Sequence, residues 1–199
     1  MKKATIVILL ILLNTSAFTQ RNPEVGITFT NTISAKPLSS FGDLFKKPFH
    51  PGIELSYGFN WATKPNHDWY QQIKLGYFFH RFVQHGIPLY TNFGYRYKFT
   101  PHIFTEVSIG GGYLHSIPAT AKLKADANGD YKNNKGIGRP QAMAAFNIGA
   151  GYKFTTVPLK LYVNYQPRIQ FPFVKSYVPM LPYNSLMIGA AVPLNKTQL

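Results

Sequence analysis

Apolar positions alternate with small or polar positions along most of the chain. The clearest example runs from Asn92 to Tyr113 and is interrupted by a Thr-Pro-His corner at 100–102. Before the corner one parity is aromatic and the other is polar or small: Phe93, Tyr95, Tyr97 and Phe99 against Asn92, Gly94, Arg96 and Lys98. After it, Ile103, Thr105, Val107 and Ile109 alternate with Glu106, Ser108 and Gly110. A period of two predicts strands with one apolar face, here joined as a hairpin.

About eight segments share this period. They lie around Val25, Ile53, Ile73, Phe93, Ile103, Ala144, Leu159 and Leu186, with Phe78 and Phe104 as apolar breaks on the polar face. A soluble sandwich would carry many charged residues on its second face. Here the second face is small, polar and rich in glycine, and the apolar face is rimmed with aromatics. The pattern favours an all-β fold, an eight-stranded antiparallel up-and-down transmembrane β-barrel whose apolar face meets lipid.

The lengths of the connections fit this architecture. Every second connection is short, at 62–67, 100–102 and 155–158, and the others are long, at 32–48, 116–140 and 168–183. Outer-membrane barrels have short periplasmic turns and longer outer loops. The short connection at 83–86 is the exception, since its place in the order predicts an outer loop.

Residues 1–19 have the three parts of a secretory signal peptide. A basic start at Lys2 and Lys3 precedes the apolar stretch 5–13, and small residues follow. That stretch is too short to span a bilayer as a helix. We expect cleavage near Phe18 or Gln20, export from the cytoplasm, and a barrel domain over 20–199.

Composition narrows the chemistry of the chain. It has 199 residues, a formal net charge of +14 and no cysteine, which excludes disulfides and thiolate metal sites. The basic residues are dispersed and not gathered in one aromatic-rich patch, so nucleic acid is not indicated. Lipid phosphate is the acidic partner that an exported basic barrel would meet.

With these features the chain resembles the small OmpA/OmpX-like outer-membrane barrels of Gram-negative bacteria. Gly189, Val192 and Leu194 resemble the C-terminal insertion signal of that family, although Met187 and Leu194 depart from its polar and terminal aromatic positions. The resemblance implies a monomeric barrel in the outer membrane, inserted by the barrel assembly machinery.

Four charged residues have the parity of the barrel interior. They are Glu54, Lys74, Arg96 and Glu106. Isolated charges in a narrow lumen are costly, so we expect a structural network of ion pairs, with an ion path or a catalytic carboxylate as the alternative. A three-residue corner at 100–102 places Arg96 opposite Glu106 and predicts a salt bridge between them.

Two motifs are weak candidates for chemistry. Asp126, Asn128 and Asp130 have the spacing of a calcium loop, but Tyr131 and Ile137 occupy its glycine and glutamate positions. His115 and Ser116 lie at a strand end, where lipid A deacylases and acyltransferases of similar fold place a Ser–His pair with an acid. No such acid is evident here. We therefore predict no metal, no cofactor and no catalytic residues.

The predicted outer loops are basic and aromatic. The stretch 171–184 carries Phe171, Phe173, Lys175 and Tyr177 between prolines and either contacts lipid or a partner or packs over the barrel mouth. Further cations are Lys36, Lys46, Lys47, Lys122, Lys124, Lys132, Lys135 and Arg139. They would bind lipopolysaccharide phosphates or keep the loops soluble. The favoured function is a non-enzymatic outer-membrane protein whose loops contact lipopolysaccharide or a partner; the alternatives are a lipid A-modifying hydrolase or acyltransferase and a narrow pore.

Overall fold

A computed structural model describes residues 22–34, 41–120, 123–125, 129–133, 136–173 and 179–194. Its barrel strands are β1 (Glu24–Ser34), β2 (Pro51–Thr63), β3 (His67–His80), β4 (Gln84–Lys98), β5 (Ile103–Pro118), β8 (Arg139–Lys153), β9 (Lys160–Phe171) and β10 (Leu181–Pro193). A short helix, α1 (Asp43–Lys46), lies between β1 and β2. The predicted signal peptide, residues 1–19, lies outside the described residues.

The eight long strands form one closed barrel, in the order β1-β10-β9-β8-β5-β4-β3-β2. Every neighbouring pair is antiparallel, and β1 closes the sheet by pairing with β10. The predicted fold class is therefore confirmed. Closure leaves no sheet edge with unpaired backbone groups, which is the condition for a sheet to cross lipid. Over the described residues, no helix is both long and apolar enough to traverse a bilayer.

The connections divide the barrel into two ends. At the short-turn end they span 64–66, 99–102 and 154–159; at the long-loop end they span 35–50, 81–83, 119–138 and 172–180. The predicted alternation is confirmed, including the short connection between β3 and β4. Most strands next to the long loops extend further than predicted, although β2 begins at Pro51, after the predicted end of the first long loop. The loop after β5 contains an additional hairpin of β6 (Leu123–Ala125) and β7 (Tyr131–Asn133).

Side-chain exposure alternates along most of each long strand. On β5, Val107 is 41 % exposed, whereas its neighbours Glu106 and Ser108 are each 6 % exposed. The outside carries a continuous belt of exposed apolar side chains, among them Phe29, Leu55, Ile73, Leu75, Leu89, Phe93, Ile109, Ile148, Val163 and Ile188. The interior is mostly polar but holds two small apolar clusters, one of Phe78, Tyr90, Leu114, Met143 and Ala145 and one of Phe104, Tyr162 and Ala191. Phe78 and Phe104, which interrupt the polar parity in the sequence, are buried inside.

Candidate functional site

The predicted register joins Arg96 to Glu106 inside the barrel. The two residues are directly opposed on β4 and β5. The Arg96 Nε and one terminal nitrogen donate to Glu106 Oε2 at 3.1 and 3.0 Å. The guanidinium lies between the rings of Tyr70 and Phe104, 4.7 and 5.0 Å from their centroids. The hairpin therefore presents a buried cation held by hydrogen bonds on one side and by aromatic rings on its faces.

A second ion pair, which sequence reasoning missed, completes this cluster. Glu24 of β1 pairs with Lys160 of β9, and Arg96 lies 3.7 Å from Glu24 Oε1. The two carboxylates and two cations balance, so the cluster has no net charge. Glu24 shares the parity of Gly26 and Thr28, and this parity was the available signal for its inward orientation.

The space for the cluster depends on a glycine. Asn164 of β9 donates to Glu106 Oε1 at 3.0 Å and so satisfies the oxygen that Arg96 leaves free. Gly149 lies opposite Asn164 on β8. A Cβ at Gly149 would overlap the Asn164 amide. This position needs glycine because of the close approach, and its φ angle is not unusual.

The middle of the lumen is crossed by hydrogen bonds between strands that are not neighbours. Glu54 lies 3.8 Å from Lys74 and accepts a hydrogen bond from the Tyr90 hydroxyl at 2.8 Å. Gln166 Nε2 donates to that hydroxyl at 3.0 Å and to Asn147 Oδ1 at 2.8 Å. Because β5 and β8 lie between β4 and β9 in the ring, the bond from Gln166 to Tyr90 spans the interior, and this chain of groups fills it.

Nearer the long-loop end, a buried cation faces aromatic rings. Arg168 lies 4.2 Å from the Phe78 centroid and 5.6 Å from that of Tyr183. Its side chain donates to Thr32 Oγ1 at 3.4 Å. Within the described part of the chain Arg168 has no carboxylate within salt-bridge distance. The lumen thus carries one positive charge that aromatic faces and a hydroxyl stabilise.

The two motifs considered for catalysis and calcium show no site among the described residues. His115 faces outward, where its ring contacts the Tyr113 hydroxyl and the Ile137 carbonyl, each at 2.8 Å. Ser116 faces the lumen and donates to Gln84. Neighbours on a strand point to opposite faces, so the pair cannot act together. In the described ranges no group of three His, Cys, Asp or Glu side chains could hold a metal, and Asp126 and Asn128 lie outside those ranges.

At the long-loop end, residues 41–50 lie against the outside of the barrel wall. Asn31 faces outward on β1; its Nδ2 donates to the Leu44 carbonyl at 2.9 Å, and its Oδ1 accepts from the His50 amide at 3.0 Å. The Phe41 ring lies 5.3 Å from that of Tyr165, which faces outward on β9. The His50 ring stacks on His80 at 3.9 Å at the barrel mouth, and burial lowers the pKa of His50.

The predicted contact residues fall into three positions. Lys46 and Lys47 are exposed on this segment, and Lys47 pairs with Asp43 at 2.9 Å. Phe171 lines a shallow apolar depression of about 490 Å³ on the outer wall, together with Gly112, Tyr113, Pro140, Gln141, Ala142 and Pro172. Phe173 faces the Arg139 guanidinium at 5.1 Å. Lys175 and Tyr177 lie outside the described residues.

Comparison with known proteins identifies the fold and not a family. No family model matches the chain, and no curated protein matches it. Neisserial surface protein A (NspA) superposes with a TM-score of 0.60 at 9 % identity, covering 87 % of this chain and 97 % of that one. The outer membrane enzyme PagL gives a TM-score of 0.51 at 13 % identity, covering 86 % and 99 %. The chain has the fold of the small outer-membrane barrels.

Proposed function

We propose that the chain is an outer-membrane barrel that acts without catalysis and presents a basic and aromatic long-loop end to lipopolysaccharide phosphates. The N-terminal 19 residues would be the cleaved signal peptide that exports it. In this orientation the short turns are periplasmic and the long loops lie at the cell surface.

The observation that carries this proposal is the distribution of charge. Four of the seven acidic residues lie inside the barrel, namely Glu24, Glu54, Asp68 and Glu106. Lumen cations are Lys74, Arg96, Lys98, Lys160 and Arg168, which exceed these carboxylates by one, and Arg139 has inward parity at the barrel mouth. Lys2 and Lys3 belong to the predicted signal peptide, and by sequence most of the other lysines and arginines fall in the four connections of the long-loop end, where they would attract anionic lipid.

A lipid A-modifying enzyme is the first alternative, and the PagL comparison concerns the fold alone. His115 and Ser116 lie on opposite faces of β5, which removes the one His–Ser pair proposed from the sequence. A general base must reach the group that it deprotonates. Among the described residues Ser34 Oγ does lie 3.4 Å from His80 Nε2. No described group hydrogen-bonds to His80 Nδ1, so this pair lacks the acid that orients the base in a catalytic triad.

A narrow pore is the second alternative, and the filled interior argues against it. The chain of hydrogen bonds from Glu54 through Tyr90 and Gln166 to Asn147 crosses the barrel at mid-height. A second cross-lumen bond joins Gln84 to Gln170 at 2.7 Å. Eight-stranded barrels have interiors that side chains can fill. We expect no steady conductance in planar bilayers.

The decisive experiment measures both binding and turnover of one lipid. Purified barrel in detergent would be mixed with lipopolysaccharide or with its dephosphorylated form, and the complexes weighed by native mass spectrometry. The proposal predicts phosphate-dependent, salt-sensitive retention and an unchanged lipid A mass. Loss or gain of an acyl chain would establish an enzyme, and equal retention of both forms would refute phosphate recognition.

A further inference from the structure

Residues 41–50, named here the aromatic foot, cover part of the lipid-facing wall. Ile33 of β1 and Asn184 of β10 have outward parity, yet they are 1 % and 0 % exposed. Other outward residues of β1, such as Phe29 at 62 %, are open. Asn31 would be a polar group exposed to lipid if both ends of its amide were not bonded to the foot. The foot is therefore held at a defined position on the barrel wall by hydrogen bonds and packing, and is not a free loop.

The free side of the foot is apolar. Phe45 and Phe49 are 66 % and 68 % exposed, and Phe41, at 47 %, contacts both Phe45 and Tyr165. Tyr165 lies in the same outward row of β9 as Leu161 and Val163. The aromatic surface of the foot is thus continuous with the apolar belt. Exposed apolar surface of this kind marks contact with a membrane or a partner.

The foot also carries an unbalanced positive charge. Its acidic residue, Asp43, forms a salt bridge with Lys47, with 2.9 Å between Asp43 Oδ2 and Lys47 Nζ. Lys46 is exposed and has no ion pair among the residues that the structure describes. A lysine beside exposed aromatics, at the end of an apolar belt, lies at the depth where lipid phosphates begin.

We propose that the foot is a lipid-binding site of the leaflet at the long-loop end. Phe45 and Phe49 insert among acyl chains, and Lys46 binds the phosphate of the same lipid layer. The inference rests on the proposed function and deepens it, since it assigns phosphate recognition to one segment seated on the barrel wall. Continuity with the belt favours lipid over a soluble partner as the occupant.

Site-specific quenching tests the insertion. Phe45→Cys and Phe49→Cys, each labelled with a fluorophore, would be reconstituted in phosphatidylcholine vesicles carrying a nitroxide near the headgroup. The chain has no other cysteine. Both labels should be quenched. Tyr131→Cys on β7 is the matched control, since Tyr131 is 73 % exposed on the separate hairpin, and its label should stay unquenched.

A label in the apolar belt distinguishes a wrong proposal about the foot from a wrong assignment of the barrel to the membrane. Ile148→Cys should be quenched by a nitroxide deep in the acyl chains. Quenching at position 148 with none at positions 45 and 49 would overturn the foot and leave the proposed function intact. Absence of quenching at all three positions would contradict the assignment of the chain as a membrane barrel. Labels at 45 and 49 shielded from both water and nitroxide would indicate a protein cover, such as a second copy, and would also overturn the proposal.

Adding lipid A to the vesicles tests the phosphate contact. Quenching of the foot labels should rise with lipid A, and Lys46→Gln should shift the lipid A concentration needed by about fivefold, as expected for one lysine near an anionic surface. Lys64→Gln makes the same charge change in the exposed short-turn connection 64–66, at the other end of the barrel, and should leave the titration of the foot labels unchanged. Equal shifts in the two variants would show that Lys46 has no special contact with phosphate.

Discussion

Removal of the Arg96 guanidinium should be among the most destabilising single changes in the barrel. Arg96→Ala deletes two hydrogen bonds to Glu106 and leaves Glu24 and Glu106 facing Lys160 alone. The cluster changes from neutral to one net negative charge inside the barrel. Opposite charges about 4 Å apart interact by about 4 kcal/mol at an effective dielectric of about 20. Breaking one side of a buried pair costs about 3–5 kcal/mol, and we expect this range.

A double variant separates stranded charge from lost packing. Arg96→Met with Glu106→Leu removes one charge of each sign and leaves Glu24 paired with Lys160. The cluster is again neutral, and the new side chains are apolar and long enough to contact Tyr70 and Phe104. Replacing a buried ion pair with apolar residues of similar volume is often neutral. The double variant should therefore recover most of the loss caused by Arg96→Ala.

Urea unfolding in vesicles, followed by the fluorescence of the chain's two tryptophans, would measure these free energies. Trp61 and Trp69 lie on the outer face near the short-turn end, close to the cluster. A cost below about 1 kcal/mol for Arg96→Ala would show that the pair is no more important than a surface salt bridge. A double variant as unstable as the single one would mean that packing, and not charge, dominates.

Three further expectations follow from the same geometry. Gly149→Ala should displace the Asn164 amide and destabilise the barrel by about 1–3 kcal/mol in the same urea assay, as overpacking does. Leu55→Arg should lower the free energy of unfolding by about 2–4 kcal/mol if position 55 lies near mid-bilayer. The cost of Ser56→Arg should instead depend on the space and the charges inside the lumen. Equal costs for the two variants would contradict our assignment of inside and outside. Because burial lowers the pKa of His50, the unfolded chain takes up the proton first, so stability should fall as pH drops below about 6.5, with a smaller slope in His50→Phe.

Strand parity and short-range register were predictable from the sequence because both are local. The period of two assigned a face to almost every strand residue, and the three-residue corner set Arg96 opposite Glu106. Parity also separates His115 from Ser116, since adjacent strand residues cannot share a face.

Contacts that depend on closure of the barrel were not predictable. Glu24 and Lys160 are 136 positions apart and lie on strands that are not neighbours. Their meeting depends on how far the register shifts around the ring, which no local pattern encodes. The contact between the foot and Asn31 could not be predicted either. Loop residues have no periodic pattern, and the sequence does not show which residues an outward-facing asparagine will bond.

The central claim is that the outward parity of the strands meets lipid, and a scan of spin labels along one hairpin tests it most directly. The absence of cysteine allows single labels at each position from 105 to 109 on β5 without background. Labels at Thr105, Val107 and Ile109 should be accessible to oxygen dissolved in the bilayer, and labels at Glu106 and Ser108 should not. Accessibility that does not alternate, or that alternates in the opposite phase, would contradict the account.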